Sequence, residues 1–257
     1  MPTLIGLSVS PATERARWAL DYTAQPYQFE EYLPGITTPW VRLRTRRLTG
    51  PISAPILLGP GLNLPDSWDI AQYATRQQPT AGLIPPAQQT QIAQLNQISE
   101  KLFYAGRVLV VERTLNSEAA MLEAIPDFFP AALHKALLPL TRKAYRDLGT
   151  KYADPGRSSA DQLRVMADLL TQIRQQLNEK PFLLESGFSY ADITIIAAMQ
   201  VVKPVQSRHI PIGPAGRPCW TCPELAAEFA DLLEWRDGVY QVYRYRNHAG
   251  APATPAT

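Results

Sequence analysis

The chain has 257 residues, 46% hydrophobic and 19% charged, with a formal net charge of +2. That length suits one large domain or two modest ones with a sizeable core, and the near-balanced charge argues against a nucleic-acid partner. No apolar run reaches the roughly 18 residues of a membrane span, and two cysteines do not make a disulfide scaffold. The start, MPTLIGLSVSP, has neither the basic residues nor the long apolar stretch of a secretory signal, so a cytoplasmic protein is expected.

In chain order, "TLIGLSV" reads as a strand and "ERARWALDYTA" as a helix with Ala16, Ala19 and Leu20 on one face. "YQFEEYL" alternates and reads as a second strand. "APILLG" reads as a short buried strand, and "DSWDIAQYATRQ" as a second helix. The βαβ…βα order over residues 1–80 predicts a small α/β domain.

From there on only helical periodicity remains. "AQQTQIAQLNQISEKLFYAGRVLVVERTL" carries Ile92, Leu95, Ile98 and Leu102 at helical spacing after a double proline. "FFPAALHKALLPLTRKAYRDLGTKYA" is a second helical stretch, with Pro139 expected to kink or break it. "SSADQLRVMADLLTQIRQQLNEK" lines up Leu163, Met166, Leu170, Ile173 and Leu177. "FSYADITIIAAMQVV" is almost wholly apolar and predicts a buried helix, and one or two helices close the chain. An all-helical domain is expected over residues 88–248, and a disordered tail, AGAPATPAT, over 249–257. The 24 prolines fall mostly between periodic segments and mark element boundaries.

Three features of the first domain carry chemistry together. Ser10-Pro11 stands where a helix begins: Ser is a strong cap and Pro favours the first helical position. A hydroxyl there lies among free backbone N–H groups that favour an anion. Ala54-Pro55 precedes a buried strand, and a cis bond there would turn the Ala54 backbone outward for ligand pairing. Asp66-Ser67 opens the next helix, where Ser67 can cap and the N–H groups can hold a carboxylate.

Taken with the helical half, these motifs resemble the glutathione transferase family, which joins a thioredoxin-like domain to a helical one. "SPATERARWAL" is similar to the Ser-Pro start of tau-like and other serine-type members. "SAPILL" and "LPDSWDIAQY" resemble the family's Val-Pro strand and Glu-Ser helix start. "GFSYADI" resembles the capping box of its buried helix, and "PELAAEFADLLEW" its last helices. The resemblance spans about residues 3–245.

By that resemblance, Ser10 donates a hydrogen bond to the glutathione sulfur and holds the thiolate. Ala54, ahead of Pro55, pairs its backbone with the cysteinyl part. Ser67 receives the γ-glutamyl carboxylate and Asp66 the amino group, although Asp is shorter than the family's usual Glu or Gln. Glutathione is then the co-substrate, a small hydrophobic electrophile the second substrate, and a homodimer the assembly, with no metal, nucleic acid or membrane involved. Isomerase and dehalogenase variants use the same thiolate. A non-catalytic carrier on the same scaffold is the alternative, with Ser10 kept only as a cap. Ser8, read as lying within the strand, and Thr13 are rivals to Ser10.

The remaining motifs are less specific. The thioredoxin redox positions here read Ser10-Pro11-Ala12-Thr13, so disulfide exchange at that turn lacks its thiolate. Cys219 and Cys222, in "CWTC", suit incidental structural thiols, a redox pair or half a zinc site, for which His209, His248 and His134 are the available histidines. "VRLRTRR" reads as a solvated charge run, from which one arginine, with Arg47 the candidate, meets the glycyl carboxylate by the resemblance. Tyr104 and Arg107 on the first long helix are candidates to face the second substrate. "SYAD" is a capping box of structural purpose, Ser189 with Asp192.

Overall fold

Leu4 and Ile5, both fully buried, carry the chain into β1 (Thr3–Gly6). The computed structural model describes residues 1–126, 128–154 and 156–245. β1 pairs in parallel with β2 (Gln28–Glu31) and antiparallel with β3 (Ile56–Gly59), which pairs antiparallel with β4 (Leu62–Leu64). The order is β2-β1-β3-β4. α1 (Pro11–Tyr22) forms the crossover from β1 to β2, α2 (Thr38–Thr45) lies between β2 and β3, and α3 (Ser67–Gln77) follows β4. This is the expected thioredoxin-like arrangement. Ala16, Ala19 and Leu20 of α1 are buried as their spacing required, and α1 packs against α3.

The register decides what meets at the end of the sheet. Gly6 lies opposite Glu31, Ile5 opposite Ile56, and Leu57 opposite Leu64. The ends of β1, β2 and β4 and the start of β3 therefore share one edge of the domain. The segments that follow or precede them, carrying Ser10, Ala54-Pro55 and Asp66-Ser67, gather there.

Two elements of the sheet domain had no legible signal. β4 has three residues, too few to show alternation. α2 hides in the arginine run and begins at Thr38-Pro39, with proline in its first turn. β1 is also shorter than its apolar run. Its ladder stops at Gly6 because the Leu7 N–H donates to Thr13 Oγ1 at 3.1 Å and the Ser10 N–H donates back to the Leu7 carbonyl at 3.0 Å. Ser8 consequently lies in a turn, not in the strand. The turn is tight: a Cβ on Gly6 would stand 2.4 Å from Thr13 Cγ2.

The rest of the described chain is helical: α4 (Gln89–Leu115), α5 (Glu118–Glu123), α6 (His134–Lys151), α7 (Ser159–Leu177), α8 (Tyr190–Ala198), α9 (Pro223–Glu228) and α10 (Ala230–Tyr243). None of these helices is long and apolar enough to cross a membrane. Every residue of α8 is buried, and α8 packs against both α1 and α4. α6 runs through Pro139 without breaking. The carbonyl left without an N–H partner there is that of Lys135, an exposed residue of the first turn. The stretch 249–257 lies outside the described residues.

Two buried polar assemblies brace the fold, one joining the helical part to α1 and one within the helical part itself. Arg244, 1% exposed, donates through Nε to Glu14 Oε1 at 2.7 Å and through Nη1 to Asp21 Oδ2 at 2.8 Å. Burial alone would lower the guanidinium; the two paired carboxylates raise it above its ordinary value. At the start of α8 the capping box forms as its sequence requires. Asp192 also accepts from the Leu183 N–H at 2.9 Å, besides the Ser189 N–H at 2.8 Å.

Removing Arg244 leaves the buried Glu14 and Asp21 carboxylates without their shared cation, although Asp21 still accepts from the Tyr27 hydroxyl at 3.0 Å. Arg244→Met is expected to lower unfolding free energy by about 3–5 kcal/mol, measured by denaturant titration at pH 7. Asp192→Ala strands two buried N–H groups and should cost about 3 kcal/mol. Burial pushes the Asp192 carboxyl from 3.8 up to about 6. The folded state therefore holds this proton more tightly than the unfolded chain, and stability from this group is lost as pH rises from about 4 through about 6. Denaturant midpoints across that window should fall in the parent and stay flatter in Asp192→Asn.

Candidate active site

Ser10 occupies the N-cap position of α1, with extended backbone (φ −84°, ψ 127°) and Pro11 behind it. Its side chain, however, makes no capping bond. The expectation that its hydroxyl caps the helix is corrected: the turn is held instead by Thr13, whose buried hydroxyl accepts from Leu7. Pro11 supplies no N–H, which removes one of the donors a cap would have satisfied. The Ser10 hydroxyl is left half-buried at a helix N-terminus, free to turn toward a ligand.

Its rivals are occupied. The Ser8 hydroxyl bonds the Glu31 carboxylate, which also accepts from the Ser8 N–H at 3.0 Å. Thr13 is buried beneath the turn. Ser10 alone of the three keeps an uncommitted hydroxyl.

At the neighbouring strand start the Ala54-Pro55 bond is cis, as anticipated. Ala54 is half-buried and Pro55 buried. At the third segment the roles of two residues shift. Asp66 is the N-cap of α3 and accepts from the Trp68 N–H at 2.7 Å; Ser67, expected as the cap, is the first helical residue and is buried. Asp66 wins because its carboxylate reaches the second N–H of the helix from outside it. The Trp68 N–H engages one Asp66 oxygen, Oδ1, and the Ser67 side chain is not used as the cap.

The arginine run divides by partner. Arg42 pins its own loop through the Arg47 carbonyl at 3.2 Å and the Gly50 carbonyl at 2.7 Å, and Arg44 pairs with Glu30. Arg47 itself is exposed, with no side-chain partner among the described residues. The solvated-run reading thus fits Arg46 and Arg47, while Arg42 and Arg44 are structural.

Tyr104 and Arg107 come together in an aromatic cage that sequence reading found only in part. The Arg107 guanidinium lies 3.3 Å from the Tyr152 ring centre, 4.9 Å from that of Phe103 and 5.5 Å from that of Tyr104. Phe103 also receives Arg15 of α1 at 5.9 Å, and Arg15 pairs with Glu100. On the other flank, Lys151 donates to Ser53 Oγ at 2.9 Å and to the Ile52 carbonyl at 3.1 Å, beside Ala54. Burial pushes the Tyr152 phenol up, but Arg107, Lys151 and Ser53 together bring it below the ordinary phenol value. Lys151 and Tyr152 were missed because "GTKYAD" reads only as a helix end. Tyr104 and Arg107 line a cavity of about 510 Å³ between α4 and α7; Ser10 does not.

Cys219 and Cys222 are buried free thiols. Cys222 accepts from Arg113 at 3.3 Å, which fits the structural reading. Among the described residues no group of three or more His, Cys, Asp or Glu could hold a metal ion. His209 stacks on Tyr245, and His134 contacts the Phe129 carbonyl; His248 lies outside the described residues.

Residues 4–82, the segment carrying Ser10, Ala54 and Ser67, match the family described as glutathione S-transferase, N-terminal domain. Over this segment, about a third of its length, the chain is similar to the glutathione S-transferase family. Three solved glutathione S-transferases extend the likeness in fold to nearly the whole chain. One, from Methylobacterium radiotolerans in complex with glutathione sulfonate, is 17% identical, with TM-score 0.61, over 100% of this chain and 98% of that one. One from Ceriporiopsis subvermispora, in complex with glutathione, is 20% identical, with TM-score 0.61, over 98% and 99%. One from Methylobacillus flagellatus, with glutathione bound, is 15% identical, with TM-score 0.58, over 98% and 100%. No curated protein sequence matches the chain.

Within this thioredoxin-like domain, Thr13 supports the turn and Ser10 is free of that duty. Thr13→Val keeps the shape but leaves the Leu7 N–H without its acceptor. It should lower stability by about 1–3 kcal/mol, read from thermal melts, whereas Ser10→Ala should leave the melting temperature within a degree or two.

Proposed function

We propose that the protein is a glutathione transferase of the serine type. Glutathione lies along the sheet edge where β1, β3 and β4 bring their loops together, and the Ser10 hydroxyl donates a hydrogen bond to the sulfur. The Ser10 hydroxyl, with no partner among the described residues and set at the N-terminus of α1, carries this reading. A thiolate there is favoured by the helix dipole and by the donor together, so more thiol ionises at neutral pH.

Ala54 pairs its backbone with the cysteinyl amides. Ser67 and the first N–H groups of α3 take the γ-glutamyl carboxylate, Asp66 its amino group, and Arg47 the glycyl carboxylate. The thiol proton leaves to solvent. The sulfur lone pair then forms a bond to an electrophilic carbon, and the displaced electron pair departs with a leaving group or into a conjugated acceptor. The protein's contribution is position and thiolate stabilisation. The electrophile is a small hydrophobic molecule bound against α4, where Tyr104 and Arg107 line the cavity. A homodimer and a cytoplasmic role in detoxification complete the proposal; exposed Trp40, Leu43 and Leu48 offer apolar surface for such an association.

Thiolate absorbance of glutathione, followed against pH with protein in excess, tests it. The thiol pKa is expected to fall by about one unit or more below the free value, near 8.5 for a cysteine thiol, and to return in Ser10→Ala. Glutathione bound with an unshifted thiol would instead make the protein a carrier.

A further inference from the structure

Among the described residues Arg107 has no ion-pair partner, and only the Glu100 carboxylate acts on its charge from a greater distance. Its Nε is buried with no hydrogen-bond partner among those residues. What surrounds it is aromatic: Phe103, Tyr104 and Tyr152 enclose the guanidinium and hold it in place. The nearest acid on the cavity wall, Glu100, is already bound by Arg15. Of the other charges lining the cavity, Arg157 is paired with Asp154 at 3.3 Å and Lys101 adds a positive charge.

The Nε has lost water without gaining a partner among the described residues, while the half-buried fork keeps its two terminal nitrogens available, so an anion bound there offsets part of the cost. The fork also suits a carboxylate, with two parallel N–H donors. Opposite it, Val165 and Leu169 of α7 offer an apolar wall, and about 510 Å³ is room for a small aryl or acyl compound.

We infer that the second substrate is an apolar electrophile bearing a carboxylate, which Arg107 binds within the aromatic cage while the apolar body rests on Val165 and Leu169. The inference rests on the transferase reading for the word substrate, but the anion site stands on its own geometry. The carboxylate belongs to the second ligand and not to glutathione, because every residue lining the cavity comes from the helical part of the chain.

Calorimetric titration of 4-nitrobenzoate and of uncharged 4-nitrobenzamide into the full protein tests this without catalysis. The acid should bind about tenfold more tightly than the amide or better, the scale of one charged hydrogen-bonded pair. Arg107→Gln should erase that preference, and Arg107→Lys, which keeps the charge but not the fork, should retain part of it. Both variants should bind glutathione within about twofold of the parent, if Arg107 does not serve glutathione. If Arg107→Gln does not fold, the lysine variant decides alone: an unreduced preference overturns the inference. Equal binding of acid and amide by the parent overturns it, as does a preference that survives Arg107→Gln. Loss of glutathione affinity in either variant, with the acid preference intact, assigns Arg107 to glutathione and also overturns it. A clear acid preference in a protein that fails to bind glutathione upholds the anion site and removes the transferase reading.

Discussion

The position of α1 depends on charge buried beneath it. Glu14 and Asp21 face inward where an apolar residue would ordinarily lie, and Arg244, from just beyond α10, neutralises both. The arrangement ties the start of the chain to its described end across more than 220 residues of sequence. It also leaves α1 no freedom to slide, because any shift along its axis would break one carboxylate contact to improve the other. A strained or loosely held helix could not present Ser10 at a constant place. This one is held from behind by ion pairs, from the side by Arg15 and Glu100, and in front by the Thr13 clasp.

That rigidity explains why Ser10 can be spared. Helix starts normally spend a hydroxyl on their own N–H groups. Here proline removes one donor, Thr13 secures the turn, and the remaining N–H groups of the first turn are left for a ligand. The same division occurs at α3, where Asp66 caps and Ser67 stays free. Beside both, the cage around Arg107 leans on Phe103, which Arg15 also touches, and reaches through Lys151 to the loop before Ala54. The proposed glutathione site and the cavity are therefore neighbours through particular side chains.

Much of this was legible in the sequence, because it is local. Ser-Pro, Ala-Pro, Asp-Ser and Ser-x-x-Asp each occupy a few adjacent residues, and the long apolar stripes of α4 and α7 follow from a period of 3.6. The three-residue β4 was too short for any period, and α2 was masked because its arginines obscure the apolar face. Which of Asp66 and Ser67 caps was undecided by composition, since both types cap well; the backbone resolved it. The pairings of Arg244 with Glu14, Lys151 with Ser53 and Arg107 with Tyr152 join residues far apart or on separate turns, and no local pattern announces them. The most informative position, Ser10, was found for a partly mistaken reason: its place as a cap was right, its bond was not.

Tyr190 has a consequence of a different kind. Its hydroxyl meets the Ser67 carbonyl, its backbone N–H meets the Leu83 carbonyl, and its ring lies 5.6 Å from that of Trp68. A residue of the helical half thus shapes the first turn of a helix in the other. With Arg244 doing the same for α1, neither half is a freely exchangeable module. Grafting this N-terminal domain onto a distant relative's helices would require the recipient's equivalents of Tyr190 and Arg244 to arrive with it. Inheritance of the two halves is thereby coupled, and sequence drift in one constrains what the other can accept.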